Sequence, residues 1–163
     1  MKHLERVFAL RHGNAEGGRD PELTASGHEQ ARELGRSILQ IISPDGISNV
    51  ALMFSPLVRA KQTAQRIKEI LGELVSFELE LTCLEENMYL EATEMTPSLI
   101  QLCNDEHQAL IVVSHFETPS GIIHSFRKKR FDVNFKRMVP NYGNGFGLCL
   151  RTGEILYLPK KAS

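Results

Sequence analysis

Short apolar runs alternate along the chain with longer amphipathic ones, and that rhythm predicts strands and helices in turn. Val7 to Leu10 is a continuous apolar run ending at Arg11-His12-Gly13, so it reads as a buried strand that stops in a polar loop. The loop from Asn14 to Pro21 carries Gly17, Gly18, Asp20 and Pro21, all turn formers. Thr24 or Ser26 is placed to cap a helix in which Ala31, Leu34, Ile38, Leu39 and Ile42 recur at helical spacing. Ser43-Pro44-Asp45-Gly46 ends that helix. Val50 to Phe54 predicts a second strand, running straight into Ser55-Pro56-Leu57-Val58-Arg59-Ala60. A proline near a helix start is favourable, because its missing N–H would be unpaired there in any case. The helix continues through Thr63, Ala64, Ile67, Ile70 and Leu71 and stops at Gly72.

Val75 to Leu81 alternates and predicts a third strand. Glu85 to Glu94 is acidic and reads as a loop with part of a helix, and Pro97 to Cys103 as a short helix. Ala109 to Val113 is apolar and rich in branched side chains, a strong strand pattern, and it ends in Ser114-His115. A helix is expected after Pro119 through Phe126, then a closing hairpin of Phe146 to Leu150 and Glu154 to Leu158 about Thr152-Gly153. Strands alternating with helices predict a layered α/β domain. In open α/β sheets, ligands bind beyond the carboxyl ends of the strands. Arg11-His12, Ser55 leading to Arg59, and His115 all follow strand ends, so they are expected to meet along one edge of one sheet.

Composition narrows the picture. With 163 residues and 42% apolar content, the expectation is one domain over residues 1–163 with an ordinary core. A formal net charge of -1 argues against a general nucleic-acid binder. No stretch is long enough to span a bilayer, and the first residues lack the apolar core of a signal peptide. The three cysteines are odd in number and form no CxxC pair, which fits a reducing, cytoplasmic setting. Neither cofactor nor metal is expected: there is no Walker A motif, His28-Glu29 does not continue to HExxH, and the glycines around Asn144 lack a strand–turn–helix setting. The residues six after Cys83, Cys103 and Cys149 are Tyr89, Ala109 and Ile155, so a cysteine-dependent phosphatase is excluded.

The residues at the strand ends suit phosphoryl transfer, which needs cations around the phosphoryl oxygens and a nucleophile in line with the leaving group. Arg11 and Arg59 supply planar, permanently charged donors. His12, kept neutral by its arginine neighbours, can attack phosphorus to form a covalent phosphohistidine. His115, protonated when phosphate is bound, adds a third positive donor. Gly13 lets the backbone approach the phosphate closely, and the helix after Ser55-Pro56 can aim free N–H groups at it.

The chain resembles the histidine phosphatase superfamily, the phosphoglycerate-mutase-like family. The resemblance rests on Leu10-Arg11-His12-Gly13, on Leu23-Thr24-Ala25-Ser26-Gly27 followed by Gln30-Ala31, on Ser55-Pro56-Leu57-Val58-Arg59-Ala60 with Gln62-Thr63-Ala64, and on Val113-Ser114-His115, in the family's order. It implies a three-layer α/β/α sandwich with a mainly parallel central sheet. It also implies His12 as nucleophile, with Arg11, Arg59 and His115 binding phosphate. Little is inserted between Ala60 and Val113, where longer relatives carry caps, so the chain looks most like the short SixA-type phosphohistidine phosphatases. The implied substrate is then a phosphorylated one, such as a phosphohistidine-bearing protein.

Several assignments stay open at the level of sequence. Glu85, Glu86 and Glu117 are the candidates for a general acid, a role many relatives give to a carboxylate after the third strand. Asn14 is placed either to bond phosphate or to make a turn, and Ser55 either to cap a helix or to touch substrate. The run Arg127-Lys128-Lys129-Arg130 is either a solvated face or a dock for an acidic partner. A phosphatase of a small metabolite is the alternative within the family. A non-catalytic phosphate-binding module is the alternative outside enzymes, and it would be expected to lack the nucleophile that His12 provides.

Overall fold

The computed structural model describes residues 3–85, 96–103 and 105–159. In chain order these form β1 (Arg6–Arg11), α1 (Ala25–Ile42), β2 (Val50–Phe54), α2 (Val58–Leu71), β3 (Val75–Glu80), α3 (Thr96–Leu102), β4 (Ala109–Ser114), α4 (Thr118–Phe131), β5 (Gly145–Cys149) and β6 (Ile155–Leu158). One six-stranded sheet runs in the order β3-β2-β4-β1-β5-β6. The four strands from β3 to β1 pair in parallel, whereas β5 is antiparallel to β1 and β6 to β5. The expected, mainly parallel α/β sheet is therefore present, with an antiparallel hairpin at one edge.

Both faces of the sheet are covered, which is why the central strands read as unbroken apolar runs rather than as alternating ones. Phe8, Leu10, Leu52, Ile111 and Val113 pack on one face with Leu34 and Ile38 of α1 and Ala64 and Ile67 of α2. Val7, Ala9, Ala51, Met53, Leu110 and Val112 point to the other face and pack with Leu99 of α3 and Ile122, Ile123 and Phe126 of α4. Successive residues of a strand alternate between these layers, as the pleat requires. The result is a three-layer α/β/α sandwich.

The helix boundaries follow local chemistry. Thr24 is the N-cap of α1, with extended backbone angles and a hydroxyl that accepts from the Gly27 N–H at 3.0 Å. α2 begins at Val58, two residues beyond Pro56, so the proline lies in the turn before the helix rather than within its first turn. α4 runs five residues past the expected end at Phe126. Its last turn holds Lys128, Lys129 and Arg130, where cations complement the partial negative charge of a helix C-terminus, and Lys128 pairs with Asp132 at 2.6 Å. The basic run is thus the end of a helix.

Candidate active site

The parallel ladder sets the site. Arg11 is the last residue of β1 and lies in register with Ser114, the last of β4. Beyond the ladder, the His12 N–H donates to the Ser114 carbonyl and the Ser55 N–H to the Val113 carbonyl, each at 3.1 Å. The ends of β1, β2 and β4 are so stitched together that Arg11, His12, Ser55 and His115 share one edge of the sheet. The rings of His12 and His115 are 5.0 Å apart between centroids. Arg59 reaches the same point from the first turn of α2, and its Nε–H donates to Nε2 of His12 at 3.2 Å.

His12 is held in one tautomer. Its Nδ1 lies 2.7 Å from the Gly13 carbonyl, which can only accept, so Nδ1 carries the proton and Nε2 carries the lone pair. The Arg59 donation to Nε2 agrees with that assignment. Burial first, and then the charges of Arg59 and Arg11, bring the His12 pKa down from 6.5 to about 4, against the upward pull of the Gly13 hydrogen bond. His115 is fully buried, with Nε2 2.9 Å from the Ser55 hydroxyl and no hydrogen-bond partner for Nδ1 among the described residues. Burial, with His12, Arg59 and Arg11 nearby, lowers its pKa to about 3. Both imidazoles are therefore neutral near pH 7 in the free protein.

The loop after His12 is locked to two helices. The Gly13 N–H donates to the Thr63 hydroxyl at 3.1 Å, and that hydroxyl donates to the Arg59 carbonyl at 2.7 Å. Asn14 accepts at its carbonyl from the Thr24 N–H, while its own N–H donates to the Gln30 side chain at 2.8 Å. A Cβ on Gly13 would stand 2.4 Å from the Gly27 carbonyl oxygen, and one on Gly27 would stand 1.9 Å from that of Asn14. The two glycines are thus required by backbone-to-backbone packing between the loop and α1.

A cleft of about 230 Å³ opens here, with Arg11, His12 and Arg59 in its wall beside Glu16, Arg19, Phe116 and Tyr142. Arg11 donates from Nη1 to the Pro140 carbonyl at 2.9 Å, and its Cζ lies over the rings of Tyr142, 4.0 Å from the centroid, and Phe116, at 5.0 Å. Asp20 holds the start of α2: one carboxylate oxygen accepts from the Val58 N–H at 2.9 Å and lies 3.5 Å from Arg59 Nη1. The N–H groups of Leu57 and Val58 are thus taken up by Ser55 and Asp20.

Of the residues singled out in the sequence, Arg11, His12, Arg59 and His115 come together, with Ser55 against His115. Gly13 and Asn14 adjoin them, but the contacts of their backbone are those of the turn just described. Glu85 follows the short 3-10 turn Thr82–Leu84, and Glu117 directly precedes α4; neither is in the cleft wall. Glu86 lies outside the described residues. Glu16, Arg19, Asp20, Thr63, Phe116 and Tyr142 were not legible as site residues. For Asp20 and Arg19 the signal was their place in the turn that follows the strand-end histidine. Tyr142 had none, since it arrives from a loop far along the chain.

The model of the histidine phosphatase superfamily (branch 1) matches residues 7–126, well over half of the chain. The chain belongs to the histidine phosphatase superfamily. None of the curated proteins compared matches it in sequence. Solved structures match in fold. The protein histidine phosphatase SixA complexed with tungstate superposes with a TM-score of 0.68 at 20% identity, covering 93% of each chain. The ecdysone phosphate phosphatase EPPase from Bombix mori gives 0.74 at 14% identity over 98% of this chain and 94% of its own. A mycobacterial glucosyl-3-phosphoglycerate phosphatase gives 0.59 at 15% identity over 98% of this chain and 100% of its own. At such identities the likeness is one of fold.

Membership of this superfamily makes the chain a phosphatase acting on phosphorylated substrates, in a family that typically works without a metal. Among the described residues, no group of three or more His, Cys, Asp or Glu side chains could hold a metal ion, and no helix is long and apolar enough to cross a membrane.

Proposed function

We propose that the chain is a phosphohistidine phosphatase of the SixA type, with His12 as nucleophile and Arg11, Arg59 and His115 as the groups that hold the phosphoryl oxygens. The observation that carries this reading is the state of His12: neutral, fixed with its lone pair on Nε2, and set in a cleft wall beside two guanidinium groups. Nε2 attacks phosphorus as the bond from phosphorus to the leaving nitrogen breaks; that nitrogen keeps the electron pair and takes a proton from water. Water then attacks the phosphorylated His12, the P–Nε2 bond breaks, and phosphate and neutral His12 are restored.

Two features favour phosphohistidine as substrate. The chain matches the SixA structure over nearly the whole of both chains, in keeping with a short member of the family. Glu85 and Glu117 stand outside the cleft wall, and the labile P–N bond asks less of a general acid than an alkyl phosphate does. Hydrolysis of a small phosphate monoester is the second reading, and Glu16 favours it, as a carboxyl group in the cleft wall that in its acid form could give a proton to the leaving alkoxide.

The test is turnover of a phosphohistidine-bearing protein beside a panel of small phosphate monoesters, in chelator, with His12→Ala as control. Preference for phosphohistidine, lost in the variant, supports the proposal. Preference for a monoester moves the function to metabolite hydrolysis, and full activity in His12→Ala removes His12 as nucleophile.

A further inference from the structure

Phe116 and Tyr142 are large aromatic residues left 42% and 43% exposed, and both lie in the wall of the catalytic cleft. Two half-exposed rings in the wall of a phosphate cleft offer a bound leaving group flat aromatic surface. Phe116 is also held at φ 42°, in the left-handed region that a bulky side chain rarely occupies. Strain of this kind persists where surrounding structure enforces it, and it gathers at ligand sites. The strained residue directly follows His115, so the turn that buries the histidine also presents the ring at the cleft. Tyr142 also lies against Arg11, with its ring 5.4 Å from that of His12 between centroids.

A phosphoryl group bound at Arg11, His12 and Arg59 would share its cleft with these two rings, which line the same wall. We infer that Phe116 and Tyr142 form an aromatic mouth that selects phosphoryl groups attached directly to a planar ring, an imidazole or an aryl group, over those on saturated carbon. The inference rests on the reading that the His12 cleft binds phosphoryl groups, and it deepens that reading by naming what recognises the leaving group. Ring-to-ring contacts are directional, so a flat leaving group gains from them where a puckered one of equal size does not. The same rings also flank the Arg11 guanidinium, so a purely structural role, steadying Arg11, must be told apart from selection.

Non-hydrolysable phosphonates separate the two, because they remove leaving-group reactivity from the comparison. Binding of phenylphosphonate, cyclohexylphosphonate and tungstate would be measured for the full chain and for Phe116→Leu, Tyr142→Leu and Tyr142→Phe. The expected result is that phenylphosphonate binds about 3- to 10-fold more tightly than cyclohexylphosphonate. The ratio falls towards one in both leucine variants and is kept in Tyr142→Phe. Steadying of Arg11 alone would weaken all three ligands together and leave the ratio unmoved, which would overturn the inference, as would a ratio of one in the unmodified protein. Tungstate binding with no aryl preference would sink the inference and spare the phosphatase reading; failure to bind tungstate at all would sink both. Should Phe116→Leu not fold, the two Tyr142 variants carry the same comparison.

Discussion

Arg59 donates its Nε–H to Nε2 of His12 across 3.2 Å, so the lone pair proposed to attack phosphorus is occupied by an arginine in the free protein. In the proposed mechanism, a phosphoryl group between Arg11 and Arg59 would offer that guanidinium a better acceptor, an anionic oxygen, and so free Nε2 for attack. On the proposed reading Arg59 would balance charge on the phosphoryl oxygens, and its own charge adds to burial in keeping His12 neutral. Arg59→Ala is expected to lower kcat/KM by about 10²- to 10³-fold, as for loss of one preorganised donor. Arg59→Lys keeps the charge but not the planar fork and should recover little of it. Steady-state kinetics on the preferred substrate decide; near-complete rescue by lysine would show that charge alone suffices.

The two neutral histidines make anion binding a proton-linked event. With its pKa lowered to about 3, His115 is a neutral imidazole near pH 7 in the free protein, and a bound anion favours the imidazolium. Tungstate binding at pH 7 should therefore take up protons, and its affinity should fall as pH rises. Calorimetry in buffers of different ionisation enthalpy measures the uptake. His115→Gln should lose part of it, while an uptake of zero in the unmodified protein would contradict the proposed change of state.

The same groups tie stability to pH. His12 and His115 have folded-state pKa values of about 4 and about 3, below the 6.5 of an unfolded chain. Between those values the unfolded chain binds more protons, so the folded state loses ground as pH falls. The loss begins near pH 6.5 and levels off only below the folded values. From pH 6.5 to 5, above the carboxylate range, each histidine should contribute a slope approaching about 1.4 kcal/mol per pH unit. Denaturant melts across that window should show stability falling with acid, less steeply in His115→Gln. A flat profile in the unmodified protein would mean that these imidazoles are not shielded from protons.

Gly27 tests whether loop and helix are locked as described. Its Cβ, if present, would lie 1.9 Å from the Asn14 carbonyl oxygen, a distance only backbone movement could relieve. Gly27→Ala should cost about 1–3 kcal/mol in stability and lower activity, because the turn it displaces leads straight back to His12. Gly17, with open space around its own Cβ position, is the control: Gly17→Ala should change stability little. Equal melting temperatures for the two variants would contradict the packing.

How far the fold was legible varied with how much of it local pattern decides. β1 and β4 were plain because burial on both faces leaves the interior of each strand no polar positions, and α1 because Thr24 and Ser43-Pro44-Asp45-Gly46 mark its ends. Arg11, His12, Arg59 and His115 were legible because strand ends in such a sheet converge. The full length of α4 was not, since its last turn is charged and shows no apolar face, although cations are at home at a helix C-terminus. Asp20, Phe116 and Tyr142 reach the site through tertiary placement: Asp20 by bonding the first turn of α2, the two rings by each packing on Arg11 from segments far apart in the chain.

The central claim is that phosphate passes through His12. The most direct measurement is to quench turnover into alkali, where phosphohistidine survives, and to locate phosphate on the protein by peptide mass spectrometry. The account predicts phosphate on the peptide bearing His12, absent in His12→Ala. Phosphate on another residue, or turnover with no phosphorylated protein at any time and full activity in His12→Ala, would contradict it.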